Sequence, residues 1–236
     1  MYYYLLGTGI LGAVWGMLYL LKPKLRSMMI FGGLSYLLIF SVGFACFKII
    51  GLFTDMANQI IPSYWFPKTL FDLGAKTGGY SIEDAFFMFF LGGAASIIYE
   101  ALFKIKIKRH THHHYYGAIS IATLITALTI YVFRPNPIYS IIVFNMAGTL
   151  VLWLQRPDLI THSIWGGILL LLLYFLIFVL FNHIARDFVS LNYNLQNISG
   201  RLVAGVPLEE LLYSISFGML WAPFYEYFYH SHLARR

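Results

Sequence analysis

A chain of 236 residues that is 59% hydrophobic and only 11% charged, with a mean hydropathy of +0.71, cannot clothe a water-facing globule. Soluble domains carry about 25% charged residues, so lipid is the solvent for most of this surface; the apolar runs are continuous rather than alternating, which predicts helices and not a barrel. The formal charge of +6 does not indicate a nucleic-acid partner, because the basic residues sit in short loops between apolar runs, where membrane topology puts them.

A span needs about 20 predominantly apolar residues. In chain order the spans are predicted near Tyr2–Leu21, Met28–Phe53, Ile82–Phe103, Tyr115–Phe133, Pro137–Gln155, His162–Ile184 and Pro207–Tyr229. The N-terminal run lacks the charged lead-in and cleavage site of a signal peptide and reads as a retained first span. Two longer connections, Thr54–Ser81 and Ala185–Val206, are rich in aromatic and polar residues. Ten Lys and Arg residues, among them the run Lys104–Arg109, fall on one side of these spans and six on the other. The richer side is predicted to be cytoplasmic, giving a multi-pass protein of the cell membrane with its N-terminus outside and its C-terminus in the cytoplasm. The lone Cys46 leaves no intramolecular disulfide or cysteine-based zinc site.

The chain resembles itself. Lys22-Pro23-Lys24-Leu25 with Ile30-Phe31-Gly32-Gly33 recurs 134 residues later as Arg156-Pro157-Asp158-Leu159 with Ile164-Trp165-Gly166-Gly167. Ser81-Ile82-Glu83-Asp84 recurs 126 residues later as Pro207-Leu208-Glu209-Glu210, and in each copy a glycine (Gly92, Gly218) and a Tyr-Glu pair (Tyr99-Glu100, Tyr225-Glu226) follow. The expected fold is therefore an all-α polytopic membrane protein of seven transmembrane helices. Two parallel three-helix repeats, residues 1–108 and 136–236, are joined by a connecting transmembrane helix over residues 109–135. The odd connector lets both copies run in the same direction, as in the parallel repeats of some transporters.

Two acidic pairs thus open the third and seventh spans. Ser81 and Asp84 form a capping-box pattern, and Glu209 and Glu210 sit where the helix dipole favours negative charge, so a purely structural role is available to both. Adjacent helical residues nevertheless diverge by about 100°, so one carboxylate of a pair can cap while the other faces the bundle. Each pair also opens into apolar or aromatic helix, surroundings that favour a neutral, proton-donating carboxyl group. Ionisable groups inside spans suggest function, and Glu83, Asp84, Glu209 and Glu210 are taken as the catalytic candidates. Their ends of the two spans are expected to border one apolar cavity. Glu100 and Glu226 lie near helix C-termini, and pairing with Lys104 and His230 four residues on would satisfy them. The cluster His110, His112, His113 and His114 reads as an interfacial loop, His183 as an interfacial histidine. No metal site and no nucleotide-binding pattern is expected, since the spans hold no helical His-x-x-x-His and the glycine pairs read as close helix contacts.

At these residues the chain resembles the membrane-integral, non-flavin lycopene cyclase family, whose members carry a Pro-x-Glu-(Glu/Asp) motif in each half. Pro207-Leu208-Glu209-Glu210, preceded by Tyr193-Asn194 and Ile198-Ser199-Gly200-Arg201-Leu202, matches closely; Ile82-Glu83-Asp84-Ala85-Phe86-Phe87 matches with Ser81 in place of proline. The resemblance implies closure of β-rings at the open ends of a carotenoid by redox-neutral acid–base chemistry, with no cofactor and with membrane lipid and a hydrophobic isoprenoid as partners. It also implies supporting or substrate-contacting roles for Phe86, Phe87, Tyr99, Glu100, Tyr213, Tyr225 and Glu226. Another membrane-integral terpene cyclase or hydratase, or a non-catalytic carotenoid- or lipid-binding protein, would use the same scaffold. The Glu209-Glu210 pair also resembles the CAAX-type intramembrane proteases, but no arginine follows it before Arg235.

Overall fold

The computed structural model describes residues 2–49, 59–103, 106–108, 115–229 and 232–234. The first half runs α1 (Tyr3–Leu21), α2 (Arg26–Ile49), α3 (Ile60–Ser63), α4 (Leu73–Thr77), α5 (Ile82–Ala95) and α6 (Ile98–Phe103). Then follow α7 (Gly117–Phe133), α8 (Pro137–Gln155), α9 (Ile160–Ile184), α10 (Phe188–Asn192), α11 (Leu208–Trp221) and α12 (Phe224–Phe228). Among the described residues strands pair in two short antiparallel ladders, 106–108 with 232–234 and 202–203 with 206–207, beside one isolated bridge.

Five segments, Tyr3–Leu21, Pro23–Ile49, Ile82–Phe103, Pro137–Gln155 and Pro157–Ile184, are long and apolar enough to cross a membrane. Their helical form follows from the solvent: hydrocarbon offers no partner for backbone N–H and C=O groups, so each segment must satisfy its own. Leucines stand exposed at four-residue steps on α9 (Leu172, Leu176, Leu180), and Leu34, Leu38 and Val42 do so on α2. Such stripes are lipid-facing surface. The chain is an all-α, multi-pass membrane protein. α7 is shorter, at 17 residues, and the segment predicted as the last span is divided between α11 and α12.

Helix α2 packs on α5, α9 on α11, and α7 on α8. The first two seams are built on glycine. A Cβ on Gly92 would lie 2.7 Å from the Gly32 carbonyl oxygen, and one on Gly218 would lie 2.7 Å from that of Gly166. Without a hydrophobic drive between helices already in lipid, such close backbone approach supplies the dispersion contacts that hold them. Both seams end in a break, between Ala95 and Ile98 and between Trp221 and Phe224. At the first, the Ser96 hydroxyl donates to the carbonyls of Gly93 and Met28, 3.0 Å each; at the second, Pro223 lacks a backbone N–H. Cations from the preceding loops reach the carbonyls beyond each break, Lys22 to Ala101 and Arg156 to Glu226.

The two long connections fold against each other at one end of the bundle. Phe66 N–H donates to the Asn192 carbonyl (2.8 Å) and Asn194 N–H to that of Tyr64 (2.9 Å), while Asn136 and Asn197 side chains donate to the Ser63 carbonyl. Trp65 and Tyr193 form a bridge between them. These contacts close a cap over the helix ends that carry Asp84 and Glu210.

Candidate active site

Beneath the cap lies a cavity of about 170 Å³, walled by α1, α2, α5, α8, α9 and α11. Its lining is aromatic and aliphatic, with Asp84 and Glu210 as the acidic side chains that reach it. The acidic pairs have each divided, one residue facing the cavity and one facing a loop.

Glu210 is the more heavily engaged. Its Oε1 accepts from the hydroxyls of Tyr64 (2.5 Å) and Tyr193 (2.8 Å), and its Oε2 from that of Tyr174 (2.6 Å). Burial and the neighbouring Glu210 carboxyl push the Tyr64 and Tyr193 hydroxyls well above the ordinary tyrosine value, so both remain proton-bearing donors. Asp84 combines two duties. Its Oδ2 completes the capping box by accepting from Ser81 N–H (2.7 Å) and the Ser81 hydroxyl (2.6 Å), and its Oδ1 accepts from Tyr4 (2.7 Å). Cap and cavity group are thus the same residue here, whereas the sequence suggested that the two duties fall to neighbours. Between the two carboxyls, Tyr36 and Tyr213 join hydroxyl to hydroxyl at 2.8 Å.

Glu83 and Glu209 turn away from the cavity and tether the cap. Glu83 Oε1 accepts from Leu70 N–H (2.7 Å). Glu209 Oε1 accepts from Ser199 N–H (2.8 Å) and from the Tyr139 hydroxyl (2.9 Å). Both are fully buried, at 0% and 1% exposure, so these bonds replace lost water contacts and fix the connections that precede α5 and α11.

Of the predicted supporting residues, Phe87 and Tyr213 line the cavity. Phe86 is 53% exposed and points away, stacked on Phe90. The Tyr-Glu pairs lie beyond the breaks, on α6 and α12, about 24 Å along the chain from the acidic pairs at 1.5 Å per helical residue. Glu100 and Glu226 gather there around His162, onto which the Tyr99 ring stacks at 4.3 Å. Tyr225 packs its ring against Phe31 and Tyr229. Glu100 lies 3.2 Å from His162; Lys104, His230 and the cluster His110 to His114 lie outside the described residues, and so do the pairings expected four residues on. His183 is exposed in the last turn of α9.

Tyr64 and Tyr174 escaped the sequence reading, which held Tyr193 within the matching motif and gave it no place beside Glu210. Tyr174 sits in an all-apolar run, where a phenol reads as filler, and Tyr64 and Tyr193 sit in connections whose folded positions no periodicity reveals. The available signal was the polar end of Tyr174 within a span, a group that hydrocarbon forces to find a partner.

A second, smaller cavity of about 100 Å³ adjoins the first, sharing Tyr36, Phe40, Ile60 and Ile141 as walls and continuing toward Phe217 and Trp221.

The multi-pass bundle thus brings two carboxyl groups to one capped, apolar cavity. The family model for lycopene cyclase matches residues 1–102 and 136–228, and the chain belongs to that family. Membership implies a cyclase acting on a carotenoid. No curated protein and no solved structure matches the chain.

Proposed function

We propose that this protein closes β-rings at the open ends of lycopene by proton exchange with Asp84 and Glu210, without redox change or cofactor. One carboxyl group adds a proton to the terminal double bond, leaving a tertiary cation; the neighbouring alkene attacks it and closes the ring. The other carboxylate removes a ring proton, which restores a double bond and leaves the product an isomer of the substrate. The observation that carries this reading is the meeting of one acidic residue from each half on a single apolar cavity. General acid–base catalysis of this kind contributes about 10²–10⁴-fold. Aromatic faces at the cavity, including Tyr4 against Trp65 at 4.5 Å, suit a passing cation, and the cap keeps out the water that would trap it. The adjoining cavity gives the remaining polyene an apolar path.

In this reading the seven spans form two parallel three-helix copies, residues 1–108 and 136–236, joined by residues 109–135. The paired glycine seams, breaks and carbonyl-binding cations support it by recurring at the two sequence offsets. The excess of Lys and Arg on one side supports an orientation with the acidic ends at the outer face and the Tyr-Glu ends at the cytoplasmic face. Glu83 and Glu209 are positioning residues that hold the cap. Glu209→Gln is expected to lower turnover about tenfold by loosening residues 194–206, with faster protease cleavage in that connection; Tyr139→Phe, which removes one bond and leaves that from Ser199 N–H in place, should do less. Unchanged proteolysis with full activity would remove the positioning role.

The test is pigment chromatography of lycopene-accumulating cells with and without the gene. Monocyclic or bicyclic carotene is the expected product. Unchanged lycopene, with the protein verified in the membrane, would overturn the proposal and leave a binding role.

A further inference from the structure

The second cluster of titratable groups lies away from the cavity and has no part in the chemistry above. Glu100 on α6, His162 in the first turn of α9 and Glu226 on α12 converge with donor atoms that all lie within 4.8 Å of one another. They are buried to 3%, 1% and 0% exposure. Neither nitrogen of His162, nor any carboxylate oxygen of Glu100 or Glu226, has a hydrogen-bond partner among the described residues. Arg156, packed beside them, grips Asp158 with two nitrogens and gives another to the Glu226 carbonyl.

Two carboxylates side by side in an apolar interior are among the costliest arrangements a fold can hold. The penalty for each uncompensated ion is several kcal/mol even after relaxation, and buried polar atoms are nearly always satisfied. A divalent cation removes both problems together, because two carboxylates and one neutral imidazole sum with it to zero charge. The spacing fits. Glu100 Oε1 and His162 Nε2 stand 3.2 Å apart without hydrogen-bond alignment, and two ligands at about 2.0–2.1 Å from a tetrahedral ion are separated by about 3.3 Å. Imidazole mixed with carboxylate selects a first-row transition ion rather than calcium or magnesium.

We infer that Glu100, His162 and Glu226 bind one divalent first-row transition-metal ion that ties α6 of the first half to α9 and α12 of the second. Three protein ligands leave one position for water. The separation from Asp84 and Glu210, about 24 Å along the chain at the helical rise, makes this a clamp between the halves, independent of the proton chemistry. The sequence search for paired histidines misses such a site, because its ligands come one each from three segments.

The probe is Co²⁺, and the readout requires no turnover. Detergent-solubilised full-length protein, stripped with a chelator, is titrated with Co²⁺ and then with Zn²⁺. The expected result is saturable visible absorption at about one ion per chain, displaced by Zn²⁺, with a rise in melting temperature on metal addition. His162→Ala and Glu226→Gln should each weaken binding at least tenfold, while Glu210→Gln leaves it unchanged. Absence of saturable binding to the wild type would overturn the inference, and this measurement stands even where a variant fails to fold. Binding retained in both His162→Ala and Glu226→Gln would also overturn it, by assigning the ion to the histidines at 110–114.

Discussion

Glu210→Gln is expected to abolish carotene formation, lowering turnover by about 10²–10⁴-fold, the usual contribution of a proton-transferring group, while the protein remains folded in the membrane. The amide keeps the volume of the carboxyl group and one oxygen for Tyr64 and Tyr193. Its NH₂ group then faces Tyr174, whose hydroxyl rotates from donor to acceptor. The proton-exchanging function alone is removed. Glu210→Ala is a poorer probe because it strands three buried phenols, at about 1–3 kcal/mol each. Asp84→Asn should act in the same way, since the amide oxygen can still accept from Ser81 N–H at the third position of the capping box and the amide NH₂ can meet the Tyr4 hydroxyl. Lycopene conversion normalised to membrane-extracted protein is the measurement, and conversion within threefold of wild type in both variants would exclude the two residues from the chemistry.

Gly218→Leu is expected to have the largest effect on the fold. The first atom beyond the backbone already collides, lying 2.7 Å from the Gly166 carbonyl oxygen and 2.9 Å from the Gly167 Cα. Both are main-chain atoms inside helices, so no side-chain rotation can relieve the contact and α9 and α11 must separate. Overpacking of this kind costs about 3 kcal/mol or more, and here it also breaks the seam that aims Glu210. The folded fraction recovered in detergent should fall sharply, and residual protein should melt several degrees lower. Gly43, where a Cβ would meet no atom of the described residues within 4 Å beyond its own helix, is the matched control: Gly43→Leu should leave both properties close to wild type.

The helices were legible because their code is local. Hydropathy alone set Pro137–Gln155 at its observed limits and put the start of α9 within two residues. The capping of α5 by Ser81 and Asp84 was legible for the same reason, its partners being three residues apart. The breaks were not read, although Pro223 marked one; the other rests on Ser96 reaching Met28, a tertiary contact. The acidic pairs were readable as pairs, and helical geometry required their members to diverge. Which member faced the cavity depended on Leu70 and Ser199 N–H groups, delivered by connections without periodicity. His162 was hidden by its position at the head of an apolar helix, where its neighbours in sequence say nothing of Glu100 and Glu226.

The interlocked cap also constrains the order in which the molecule is made. Its backbone bonds join Phe66 to Asn192 and Tyr64 to Asn194, partners separated by well over a hundred residues of chain. Such non-local closures come late in folding, because the intervening loop entropy must be spent first. During synthesis the N-terminal helices enter the bilayer with Asp84 and the neighbouring connection still unroofed, and they wait in that condition for the last third of the chain. A nascent chain arrested after α9 would hold its acid in an open vestibule that water can enter. Closure of the cap is therefore among the final events of biogenesis, and the cavity is completed with it rather than growing span by span.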